Sequence, residues 1–157
     1  MKYVDLHTTV RAACAEDQVA ITSLVHGEHL NPNDLHWQRF TVATDPGGLV
    51  GAVQVRRHPD QARELGSFVV RRELRGLGVG ALLVQEALRR ESGPVFLVTR
   101  AQLAPYFERW RFELVPPRTA PASVRSNHRL GTLLGGLASV FKGRLPSRMV
   151  VMALRRD

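Results

Sequence analysis

The sequence predicts an α+β fold built in three layers, with a central sheet flanked by helices. Three observations lead there. Runs rich in β-formers alternate with amphipathic segments from one end to the other, the organisation that buries a sheet under helices. One stretch reads strand, Gly-rich turn, helix, strand. The 157 residues match the size of one hydrophobic core, so one domain over residues 1–157 is expected.

Taken in order, residues 7–13 suit a first strand. Residues 16–26 suit a helix, with Glu16 and Asp17 in its first turn and Ile21, Leu24 and Val25 at helical spacing. Asn31-Pro32 reads as the start of a short helix ending near Trp37. Residues 39–44 and 49–57 are β-rich, and Asp45-Pro46-Gly47-Gly48 between them reads as a hairpin turn. Residues 65–70 make another strand, and residues 95–99 a short apolar one of the kind found at a sheet centre.

Between those two strands, GLGVGALLVQEALRRE places Val79, Leu83 and Ala87 one turn apart before stopping at Ser92-Gly93-Pro94. Residues 102–111 look helical, with Leu103, Phe107 and Trp110 on one face, and residues 112–115 suit a strand. Pro116, Pro117 and Pro121 interrupt the alternation. Leu130, Leu133, Leu134, Leu137 and Phe141 then recur at helical spacing, so an extra basic helix precedes a last strand at 149–154. Its apolar stripe is expected to be core or a homodimer contact and not a membrane anchor.

Composition narrows the function classes. The 44% hydrophobic content is ordinary for a soluble protein. Cys14 is the sole cysteine, which excludes an intrachain disulfide, and no Cys/His cluster has zinc spacing, so no metal is expected. His26, His29, His36, His58 and His128 read as surface or loop histidines. No apolar run reaches the roughly 18 residues of a membrane span, and MKYVDLHTTV lacks the apolar stretch of a secretory signal. A cytoplasmic protein without a membrane partner is the expectation.

The 22 basic and 14 acidic residues give a net charge of +8, and 20 of the basic residues are arginine. Residues 1–70 carry 6 basic and 8 acidic side chains, whereas residues 71–157 carry 16 and 6. The asymmetry suits an anionic partner, be it nucleic acid, a phosphorylated cofactor or an acidic substrate. A nucleotide bias favouring Arg over Lys would produce the same balance.

Gly76, Gly78 and Gly80 let backbone N–H groups approach a ligand, and the helix start behind them favours negative charge. The plainer alternative is a tight turn with close packing. A P-loop is excluded, since GxxxxGK[ST] is not matched. A dinucleotide fingerprint GxGxxA is literally present at Gly76, Gly78 and Ala81. However, RRELR separates it from the strand, and the next strand ends in Thr99-Arg100, not in an acidic ribose ligand.

The third pattern is [RQ]xxGx[GA], filled by Arg75, Gly78 and Gly80 after ELGSFVV. With the strand order and the later VFLVTR and YFERWRF segments, the chain resembles the GNAT superfamily of acyl-CoA-dependent N-acetyltransferases. The resemblance implies a mixed, largely antiparallel sheet, acetyl-CoA as cofactor, and direct transfer of its acetyl group to an amine. It implies that Arg75, Gly76, Leu77, Gly78, Val79 and Gly80 bind the pyrophosphate. It further implies that the N–H of Phe68 meets the thioester oxygen while Val69 and Val70 run beside the pantetheine arm.

Such a reaction needs a neutral amine, a polarised carbonyl and a proton for the thiolate. Glu64 stands eleven residues before Arg75, the spacing of the general-base glutamate in many family members. Simple alternation would send Glu64 and Phe68 to the same side of their strand. The competing role for Glu64 is an ion pair with Arg63 or another arginine. Where many relatives carry the tyrosine that protonates sulfur, this chain has Phe107, with Tyr106 one residue earlier; Arg111 replaces the usual Gly. Tyr106 is the candidate acid, on the view that Arg111 signals an altered helix end; solvent is the alternative.

The context of Thr99 and Arg100 looks like the acetyltransferase domain of glutamate N-acetyltransferases, and Ser147-Arg148 resembles that group's substrate-binding end. Trp37 falls where the family lines its acceptor groove. Trp37, Arg100, Ser147 and Arg148 are thus the implied contacts to a small amine or amino acid, a carboxylate being well matched by arginine. The rival reading is a basic module that binds acyl-CoA without catalysis, or one that associates with nucleic acid.

Overall fold

The computed structural model describes residues 7–141 and 148–156, with side chains described in 7–134 and 148–156. Seven strands form one sheet: β1 (Thr9–Ala12), β2 (Phe40–Asp45), β3 (Gly48–Arg57), β4 (Arg63–Val70), β5 (Val95–Arg100), β6 (Glu113–Val115) and β7 (Met149–Leu154). Their spatial order is β1-β2-β3-β4-β5-β7-β6, so the last strand inserts between the two before it. The pairs β1/β2, β2/β3, β5/β7 and β6/β7 are antiparallel and β4/β5 is parallel. Helices α1 (Gln18–Gly27), α2 (Val79–Arg89), α3 (Ala104–Glu108) and α4 (Ala122–Phe141) complete the mixed α+β fold.

The chain divides into two compact units. The first comprises the residues up to Arg56 together with Gly66–Glu91. Ile21 and Val25 of α1 join Phe40, Val42, Leu49, Ala52 and Val69 in its core. The hairpin forms as its turn chemistry dictates: Asp45 Oδ1 accepts the Gly47 N–H at 2.8 Å, and Gly48 takes φ +121°. Helix α2 buries Val79, Leu83, Val84, Ala87 and Leu88. Leu83 lies over Gly51, where a Cβ would come within 2.8 Å of its methyl group.

One expectation fails in this unit. No helix starts at Asn31-Pro32, and a single 3-10 turn at Trp37–Arg39 stands instead. Asn31 Oδ1 takes the Asn33 N–H at 3.0 Å and Asp34 adopts φ +58°, so local side-chain bonding and a left-handed residue stop the helix from propagating.

The second unit comprises Arg57–Leu65 and the residues from Ser92 onward. Glu64 and Leu65 pair in register with Phe96 and Leu97. Val124 of α4, Ala62, Ala120 and Val151 form a core joined by Phe96, Val98 and Val115. The expected helix over 102–111 is shorter. A 3-10 turn spans Ala101–Leu103, α3 begins at Ala104, and Leu103 is exposed while Trp110 lies past the helix end. Pro105 accounts for the late start, because its ring excludes the carbonyl of a preceding helical turn.

Helix α4 is the inserted element. Its inner face carries Val124, Asn127, His128 and Gly131, whereas Leu130, Leu133 and Leu134 are exposed, so the stripe is not core at those positions. The side chains of Leu137 and Phe141 lie outside the described residues. Among the described residues no helix is long and apolar enough to cross a membrane, and no His/Cys/Asp/Glu group could hold a metal.

Candidate functional site

In the first unit, β4 leads through a 3-10 turn at Arg72–Leu74 to the Gly-rich turn. Gly76 and Gly78 take φ +76° and +94°, conformations that a Cβ disfavours. Gly78 is the N-cap of α2, and no side chain caps it. The leading N–H groups of an α-helix have no intrahelical acceptor, and the macrodipole adds positive potential there. A Cβ at Gly76 would meet nothing within 4 Å, so the turn is open on that side. The arrangement is suited to a phosphate or pyrophosphate.

Arg75 is used as a staple for this turn. Its Nε donates to the Val70 carbonyl at 3.0 Å, and its terminal nitrogen pairs with Glu28 at 2.8 Å. Leu77 is half-buried and the Val79 side chain belongs to the core, so Val79 and Gly80 could offer a ligand only their backbone. Val69 and Val70 are buried and Phe68 half-buried.

Ser67 adopts φ +48°, which breaks the pleat within β4. The strict alternation expected across 64–68 therefore does not hold. The break is held by two buried donors: Gln54 Nε2 and an Arg56 terminal nitrogen both donate to Ser67 Oγ, at 2.8 and 2.9 Å. Sequence reasoning missed this cluster, since neither Gln54 nor Arg56 carries a motif.

In the second unit, Glu64 is buried. Its Oε2 accepts the Asn127 side-chain amide at 2.7 Å and meets His58 Nε2 at 2.7 Å. The partners are therefore an imidazole and an amide, where an arginine was the alternative expectation. His58 does lie in the β3–β4 loop, as expected, but its ring turns inward and is only 14% exposed.

Tyr106 stands on α3, half-buried, edge-on to the buried Phe107 at 5.2 Å between ring centres. Burial pushes its phenol up, opposed in part by the Arg109 guanidinium, which lies 4.5 Å above the ring. Arg111 takes φ +66°, the conformation that a glycine at a helix end supplies. The helix end is thus the ordinary one, and Arg111 gives no sign of a rotated or bulged helix.

The backbones of Arg100 and Arg148 run side by side, but their side chains alternate to opposite faces of the sheet. Arg100 pairs with Met149 across β5 and β7, and the Arg148 carbonyl accepts the Ala101 N–H at 2.8 Å. Arg148, Ala101, Ala104, Leu114 and Pro116 contribute to a cavity of about 400 Å³. Trp37, in the first unit, is half-buried against the α1/β2 core. Ser147 lies outside the described residues.

Residues 36–114, half of the chain, match the family model of the acetyltransferase (GNAT) domain. The chain belongs to the GNAT acetyltransferases. No curated protein sequence matches it. Among solved structures it is similar to Rv2747 of Mycobacterium tuberculosis, solved with CoA, at TM-score 0.69 and 23% identity over 95% of this chain and 99% of that one. It is similar to N-acetylglutamate synthase of Neisseria gonorrhoeae, solved with coenzyme A and N-acetyl-glutamate, at TM-score 0.69 and 16% identity; the match covers 98% of this chain and 36% of that enzyme. Ard1 of Thermoplasma volcanium follows at TM-score 0.62 and 14% identity over 97% of this chain and 99% of that one. These likenesses show the shared fold.

Proposed function

We propose that residues 1–157 act as one N-acetyltransferase domain, moving the acetyl group of acetyl-CoA directly to the amine of a small molecule, with an amino acid such as glutamate as acceptor. The observation that carries this is the turn ahead of α2, with Gly76 and Gly78 left-handed and the helix start free of any side-chain cap. A dianionic pyrophosphate fits such a backbone cradle. The CoA complexes of Rv2747 and of N-acetylglutamate synthase support the same cofactor class.

Acetyl-CoA, when bound, supplies the acyl group as a thioester. Glu64 takes the proton of the acceptor ammonium, which at neutral pH would otherwise stay charged and non-nucleophilic. The backbone N–H of Phe68, just past the break at Ser67, is assigned to the thioester oxygen. Tyr106 is kept as the proton donor for the departing sulfur on its half-buried phenol alone, since the ordinary helix end at Arg111 lends it no support; a phenol is protonated at neutral pH, and burial raises its value further. Arg148, which lines the cavity beside β7, is assigned to an acceptor carboxylate; Arg100, turned to the other face of the sheet by its register with Met149, is not.

The test is a thermal melt with millimolar acetyl-CoA and a screen of amino acids and polyamines for CoA thiol release. A ligand that binds only the folded state raises the melting temperature. No shift would overturn the cofactor assignment. A shift without thiol release would make the protein a binder.

A further inference from the structure

We propose that His58 and Asn127 are positioning residues that fix the carboxylate of Glu64 so that only Oε1 accepts the proton. This rests on the transferase reading above. Both contacts fall on one oxygen: Asn127 Nδ2 and His58 Nε2 each lie 2.7 Å from Oε2. A buried carboxylate is costly unless donors meet it, and two donors on Oε2 satisfy that oxygen and lock the side chain's rotation. Among the described residues no further hydrogen bond reaches this carboxylate, so the lone pairs of Oε1 remain for an incoming N–H. Against an ionised Glu64, His58 must carry its hydrogen on Nε2 to donate.

The support for these two donors comes from α4. Asp60 and Glu64, four residues apart, meet Ser123 and Asn127, which are one helical turn apart on α4. Asp60 also accepts the Ala62 N–H at 3.2 Å, and the His58 N–H donates to the Ala62 carbonyl at 2.9 Å. The loop carrying His58 is therefore closed on itself and clipped to α4 through Asp60, while Glu64 of β4 meets α4 one turn further on. Among the described residues, the groups bonded to or in register with Glu64 are His58 from the loop, neutral Asn127 from α4 and Phe96 on β5; Asp60 adds a second carboxylate near His58. The helix inserted before the last strand thus builds the surroundings of the proposed base.

The experiment measures CoA thiol release from acetyl-CoA, with L-glutamate and spermidine among the probe amines, as a function of pH. His58→Ala and Asn127→Ala should each lower turnover about tenfold with KM for acetyl-CoA unchanged, a fraction of the full general-base contribution. His58→Gln, whose amide nitrogen reaches the place of Nε2, should recover most of the loss. Asn127→Asp sets a second carboxylate against Oε2. Like charges hold a shared proton to higher pH, so the acidic limb of the rate profile should move upward.

Parent-like turnover and pH profile in both Asn127→Asp and His58→Ala would overturn the proposal, and so would a loss in His58→Gln equal to that in His58→Ala. Should His58→Ala fail to fold, Asn127→Asp and His58→Gln decide the matter between them. A parent protein that releases no thiol with any probe amine overturns the transferase reading, and this one with it. Activity lost in Glu64→Gln but intact in every His58 and Asn127 variant overturns the positioning role alone.

Discussion

Asp60 caps α4 through Ser123: its carboxylate accepts the Ser123 backbone N–H at 3.0 Å and the hydroxyl at 2.9 Å, from 63 positions earlier in the chain. The Ser123 N–H is the largest cause holding the Asp60 carboxyl below its usual range. Because the folded-state value is lowered, the contribution to stability is present above the unfolded value near 4 and is lost as pH falls through the folded one. Asp60→Ala should therefore melt below the parent at pH 7, with the gap closing under acid conditions below about pH 4. Thermal melts of both proteins across pH check this; a constant gap down to pH 2 contradicts it.

Arg111 occupies a left-handed conformation at φ +66° on an exposed turn. An L-residue there costs about 1 kcal/mol, which glycine avoids, partly offset by glycine's freer unfolded chain. Arg111→Gly should stabilise the protein by about 0.5 kcal/mol. Urea unfolding measures the change, and a loss of stability would show that the arginine side chain contributes packing that outweighs the strain.

Gly78 stands at φ +94°, where a β-branched side chain is strongly disfavoured. Gly78→Val should abolish the rise in melting temperature produced by acetyl-CoA. An undiminished shift would move the pyrophosphate away from this turn.

Glu64→Gln keeps the shape of the side chain and removes its basicity. Turnover at neutral pH should fall about a hundredfold or more while acetyl-CoA affinity barely changes. Raising the pH should restore part of the rate, since an α-amine with a value near 8 then loses its proton unaided. Parent-like turnover at pH 7 excludes Glu64 as the base.

Tyr106→Phe tests the proton donor. A tyrosine phenol carries its proton at neutral pH, and burial pushes this one further up, which suits an acid. Its loss should cost turnover about a hundredfold and remove the basic limb of the pH profile. Unchanged turnover with an unchanged profile would leave solvent as the donor.

What the sequence determined by itself is local. The hairpin follows from Asp45 and Gly48, α2 from the glycines before Val79 and the spacing of Val79, Leu83 and Ala87, and β7 from its unbroken apolar run; each is encoded within a few neighbouring residues. The same local reasoning erred at Asn31-Pro32, where an Asx contact outcompeted helix propagation, and at Ser67, where tertiary donors from Gln54 and Arg56 hold a break in an otherwise regular strand. Glu64 was legible as a candidate, but its partners were not. His58 is six residues away and Asn127 is 63, and no periodicity links them. Only the packing of α4 within the second unit brings those donors to one carboxylate oxygen, because a hydrogen bond needs its atoms within about 3 Å, and over such separations in sequence only the folded chain sets that distance.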